Sequence, residues 1–115
     1  MKSGGVGVKP VAFLGDSLTR LREFPQEARR AAGHQLDRVQ HGLDPDDWKP
    51  MQSIGVGVRE IRVRERGGAF RVIYLATLAD AVYVLSAFQK KTQHTPQREV
   101  NLAVERLRAL KRRPS

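Results

Sequence analysis

Apolar and polar positions change rhythm twice along the chain. After Pro10 comes a short apolar run, residues 11–14, which reads as an edge strand because proline is tolerated at a strand start. Leu18, Leu21 and Phe24 then recur at i, i+3 and i+6, the stripe of a short helix with Asp16 or Ser17 as its cap. Pro25 restarts the chain as the first residue of a second helix, where its missing N–H costs nothing. Ala28, Ala32, Leu36 and Val39 form the apolar face of that helix, with Glu27, Arg30, Asp37 and Arg38 opposite and Gly42 as C-terminal cap. The two helices read as an αα-hairpin. Residues 43–54 hold Asp44-Pro45-Asp46-Asp47 and Trp48-Lys49-Pro50, the content of a loop, which Trp48 is expected to clamp to the core.

From Val58 the period becomes two: Arg59, Ile61 and Val63 alternate with Glu60, Arg62 and Arg64. Arg66-Gly67-Gly68 makes a hairpin turn. Residues 69–77 and 81–89 are two further strands, nearly all apolar apart from Arg71, a pattern of central strands covered on both sides. After a polar loop, Thr95 is the expected cap of a last helix, with Pro96 in its first turn and Val100, Ala103, Val104 and Leu107 as its core stripe. The order is strand, two helices, three-stranded meander, helix. That is an α+β fold: two N-terminal helices packed on a twisted antiparallel sheet of three to four strands, plus a C-terminal helix.

Composition narrows the functional classes. A chain of 115 residues is expected to form one domain over 1–115, with the Gly-rich residues 1–8 as a flexible tail. The longest apolar runs have five residues, which excludes a transmembrane helix. The N-terminus lacks an apolar core long enough for a secretory signal, and there is no cysteine; a cytoplasmic location is the expectation. No carboxylate pair or His/Asp/Glu cluster has metal-ligand spacing, so neither metal nor cofactor is expected. Gly55-Val-Gly57 and Arg66-Gly-Gly68 are too short for a nucleotide loop.

Charge alters the picture more. The formal charge is +9, and residues 59–115 hold 13 basic against 5 acidic side chains. Fifteen of the 21 cations are arginine, the side chain best shaped for phosphate. An anionic partner such as nucleic acid stands beside the plainer reading of a basic, soluble surface.

Four segments carry a resemblance: Leu14-Gly-Asp-Ser-Leu18 with Phe24-Pro25; Asp47-Trp-Lys-Pro50; Val58-Arg-Glu-Ile-Arg-Val-Arg64 followed by Phe70-Arg-Val-Ile-Tyr74; and Val82-Tyr-Val-Leu-Ser-Ala-Phe-Gln-Lys-Lys-Thr92 followed by Thr95-Pro96. The chain resembles the RelE/ParE superfamily of toxins from type II toxin–antitoxin modules, in particular the phage-derived, HigB-like branch. The resemblance implies an endoribonuclease that cuts mRNA, usually on the ribosome. It also implies neutralisation by a cognate antitoxin, often a helix-turn-helix protein, and partners that are mRNA and ribosomal RNA rather than a membrane.

RNA cleavage through the ribose 2′-OH needs cations on the phosphoryl oxygens and groups that move two protons. Arg71 interrupts an apolar strand, where a charge is costly unless it faces a cleft or pairs with Glu60 or Glu65; the resemblance places a phosphate-contacting arginine there. Arg62 and Arg64 share a strand face where the best-known family members carry lysines. Arginine is a poor general base, so these two are expected to clamp RNA, and Glu60 falls near the family's first basic position. Lys90 and Lys91 end the third strand, with Lys91 the nearer match to the family's catalytic cation and Lys90 an RNA contact. His94 is the candidate acid, since histidine exchanges protons near neutrality. Tyr74 and Tyr83 read as core, His34 and His41 as structural or surface residues. Two other readings stay open: a ParE-like gyrase poison with the same fold and no nuclease, and a degenerate homologue that binds antitoxin or RNA without cutting.

Overall fold

The computed structural model describes residues 8–114; the expected flexible tail, residues 1–8, lies outside the described residues except for Val8. In chain order the elements are β1 (Val11–Phe13), α1 (Ser17–Arg22), α2 (Gln26–Gln40), β2 (Trp48–Pro50), β3 (Val58–Glu65), β4 (Gly68–Leu75), β5 (Val82–Lys90) and α3 (Gln97–Arg112). The class is α+β, but the expected sheet of three to four antiparallel strands is corrected. It has five strands in the order β1-β5-β4-β3-β2. It is mixed, because β1 runs parallel to β5, Val11 opposite Val82. The second added strand, β2, lies in the segment expected to be a loop and pairs Trp48 with Ile61. Pro50 is tolerated there because β2 is an edge strand. β1 is the edge strand expected after Pro10; β2 is three residues long, too short to show a period.

The pleat sends alternate side chains to opposite faces. Ile61, Val63, Phe70, Val72, Tyr74, Val82 and Val84 pack against Leu21 and Phe24 at α1 and Ala28, Ala32, Leu36 and Val39 of α2. Val58, Ile73, Leu75, Tyr83, Leu85 and Phe88 pack against Met51, Ile54 and the α3 residues Ala103, Leu107 and Leu110. Helices therefore cover both faces, which is why β4 and β5 are apolar almost throughout. Gly42, with φ of 81°, ends α2 as expected: the Leu43 and Gly42 amides donate to the Arg38 and Val39 carbonyls at 2.9 and 3.0 Å, the Schellman pattern. No helix among the described residues is long and apolar enough to cross a membrane.

Polar contacts fix where α3 begins and ends. Arg106 donates to the Leu85 carbonyl at 2.8 Å and to Asp16 at 2.7 Å. It crosses so close to Gly15 that a side chain there would overlap the guanidinium, and Gly15 has a φ of 56°. Asp16 precedes α1 but makes no side-chain cap; its carboxylate takes Arg106 and Arg20 instead. Near the other end, Ser86 donates to the buried Glu99 carboxylate at 2.6 Å. A bulge in β5 leaves Leu85 as an extra residue between the pairs Ile73–Ser86 and Tyr74–Val84, so Leu85 and Ser86 both serve the α3 face.

Candidate functional site

α3 covers only part of its face of the sheet. Past its first turn, the same face displays the even positions of β3: Glu60, Arg62 and Arg64. Arg71 lies directly across from Arg62. On the other side Arg71 faces Phe88, and Ala69 faces Lys90, so alternation puts Lys90 on the Arg71 face. β2 adds Lys49, opposite Glu60.

Glu60 is the centre. It is fully buried, and Arg71 is 4% exposed. Arg71 Nε lies 3.5 Å from Glu60 Oε1 and Lys49 Nζ 3.8 Å from the same oxygen. Thr95 Oγ1 donates to Glu60 Oε2 at 2.8 Å. Thr95 is thus not the expected helix cap: Pro96 holds the N-cap position, and the Thr95 hydroxyl is spent on Glu60. Arg71 also donates to the Phe70 carbonyl at 3.0 Å. Arg62 sits 3.9 Å from Asp47.

Arg71 thus pairs with Glu60, one of the two ways expected to seat a charge in this strand, and such a pair is weak evidence of stabilisation. Like charges directly opposed across strands repel, and desolvating an Arg–Glu pair costs about as much as its attraction returns. Four buried side-chain atoms among the described residues lack a hydrogen-bond partner, and three of them are here: Glu60 Oε1, Arg62 Nε and Arg71 Nε. Native proteins hold few such atoms. Burial draws the Arg71 guanidinium below its ordinary value, against the pull of Glu60. Burial and then the Arg71 charge do the same to the Lys90 ammonium. Chemically the cations of the cluster can take up an anion.

The structure brings Arg62, Arg71 and Lys90 together, with Arg64 exposed on the same face. Lys91 and His94 lie on the exposed loop after β5. That loop meets the cluster at its two ends, Lys90 and Thr95. His34 and His41 are exposed on and just after α2, and Tyr74 and Tyr83 are buried. Glu60, Lys49 and Thr95 were given no functional role by sequence reasoning. The signal for Glu60 was its place in the alternation beside Arg62. Lys49 gave none, because β2 is placed by tertiary pairing. Trp48, expected to clamp its segment, lies under Arg59, whose guanidinium is 3.8 Å from the ring centre. No group of three or more His, Cys, Asp or Glu side chains that could hold a metal ion occurs among the described residues.

Residues 19–108 match the family model described as Phage derived protein Gp49-like (DUF891). No curated protein matches the chain.

Proposed function

The chain belongs to the Gp49-like family of phage-derived proteins, a family of the RelE/HigB-like toxin group, and from that premise we propose that it is a HigB-like toxin that cleaves mRNA. One observation carries the reading. A fully buried carboxylate, whose Oε1 accepts no hydrogen bond although Arg71 and Lys49 stand 3.5 and 3.8 Å from it, lies within a face of further cations.

The 2′-OH gives its proton to Glu60 Oε1 and its oxygen attacks the adjacent phosphorus. The bond from phosphorus to the 5′ oxygen breaks, leaving a 2′,3′-cyclic phosphate. His94 supplies the proton that makes the 5′-OH. Arg71, Lys90 and Lys91 hold the phosphoryl oxygens as charge builds on them. Arg62 and Arg64 grip the flanking backbone, and this basic half of the chain recruits mRNA and ribosomal RNA by counterion release. The 2′-OH route calls for no metal or cofactor. A cognate antitoxin, a helix-turn-helix protein in this branch, is the partner that restrains the activity.

Primer extension on a reporter mRNA in a bacterial cell-free translation system tests this. New in-frame 5′ ends are expected, and Arg71→Ala should reduce them by about 10²–10³-fold, the cost of removing one transition-state donor. A message left intact at high protein concentration would overturn the reading and make gyrase inhibition the next assay.

A further inference from the structure

The two groups at the centre of the site are shut in. Glu60 is fully buried and Arg71 is 4% exposed, while Arg62 and Lys49 around them are each more than a third exposed. An RNA phosphate can rest on the rim, but it cannot touch Arg71 or Glu60 in this form. The segment after β5, residues 91–96, crosses at this point. Residues 91–94 are exposed. The Thr92 hydroxyl is turned inward to the His94 carbonyl, within the segment itself. Among the described residues, the segment's one side-chain hydrogen bond to the rest of the molecule is Thr95 Oγ1 to Glu60 Oε2, 2.8 Å. Behind it, α3 is firmly held through Glu99, Ser86 and Arg106. The strand before it is paired up to Lys90.

We infer that residues 91–96 form a lid over a closed anion site, latched by the Thr95–Glu60 hydrogen bond. Its functional meaning rests on the reading above: opening uncovers Arg71 for phosphate and frees Glu60 Oε2 together with Oε1. Lys91 and His94 ride on the lid, so opening admits RNA and reclosure brings the acid to it. A lid that completes a site on closing over substrate is a common device. Here the latch oxygen belongs to the base itself. Opening is then in competition with one hydrogen bond to a carboxylate, and the apparent affinity for RNA falls by the closed fraction.

The test is chemical labelling of arginine with phenylglyoxal, read residue by residue by mass spectrometry on the full chain. Thr95→Val keeps the shape and removes the donor. Labelling at Arg71 should rise about ten- to a hundredfold, the range one hydrogen bond to a charged group supports. Thr95→Ser, which keeps the hydroxyl, should label as the parent does. Arg106, 16% exposed and remote from the lid, is the reference and should not change. An Arg71 rate unaltered in Thr95→Val overturns the latch. So does a rise at Arg106 in step with Arg71, because the opening is then global. Labelling needs no cleavage, so a latch that responds in a protein that leaves mRNA whole separates failure of the nuclease reading from failure of this one.

Discussion

The two faces of the sheet bury their side chains by different rules. The face under α1 and α2 is apolar from Val82 to Val63, with Phe24 and Phe70 ring centres 4.9 Å apart. The face under α3 begins the same way, at Leu75, Tyr83 and Leu85, and then changes to Glu60, Arg62, Arg71 and Lys90 along the same strands. Three of the four unpartnered buried atoms belong to that second region. The buried charge in that second region is weak evidence of stabilisation, and it is where the proposed chemistry would take place.

The largest effect should come from the dry face. Phe70 is 1% exposed, and Phe70→Ala should cost about 3–5 kcal/mol through lost burial and a cavity. Urea denaturation of variant and parent measures it. A loss below about 1 kcal/mol would mean that this face yields easily, and the contrast would fail.

The charged region should respond with the opposite sign. Replacing both members of the buried pair, Glu60→Leu with Arg71→Met, should leave stability unchanged or raise it by about 1–4 kcal/mol. Arg71→Met alone leaves the buried Glu60 charge to the part-exposed Lys49 and should destabilise. The same denaturation experiment reads both, and the double variant should have no cleavage activity in the translation assay. A double variant much weaker than the parent would show that the pair holds the fold, and would remove the strongest argument that it is there for chemistry.

How far this division could be read in the sequence depends on element length and on tertiary pairing. Ala28, Ala32, Leu36 and Val39 mark α2 because fifteen residues give four turns of periodicity. β3 is marked by its alternation, which already sets Glu60 beside Arg62. Arg71 stands out as the one charge in an apolar strand. β1 shows only a short apolar run after Pro10, and β2 has no such signal. Each is three residues long and takes its place from partners, Val82 and Ile61, that are distant in the chain or across a loop. The site inherits that limit: Lys49 reaches Glu60 only through the β2 edge. Thr95 looks like a cap because threonine before Pro96 is what a cap looks like locally. Only the fold shows a buried carboxylate taking its hydroxyl.

The smallest effect separates the buried pair from an exposed one. Asp16 bridges α1 and α3, 2.7 Å from Arg106 and 3.2 Å from Arg20, with half its side chain in solvent. The hydrogen bond from Arg106, ahead of that from Arg20, holds its carboxyl below the ordinary value of 3.8. A carboxylate lowered on folding stabilises the native state above its unfolded value, and that contribution is lost as pH falls through the folded value. Asp16→Asn should therefore melt lower than the parent at neutral pH, and the gap should close only below pH 3.8. Solvent screening keeps the difference under about 1 kcal/mol, and added salt should shrink it. Thermal melts of both proteins across pH decide the matter. A gap that persisted in acid would assign the loss to packing rather than charge. A gap that closes would confirm that charge between α1 and α3 stabilises the fold where water can reach it. In the buried cluster at Glu60, removing the charges in pairs should cost nothing.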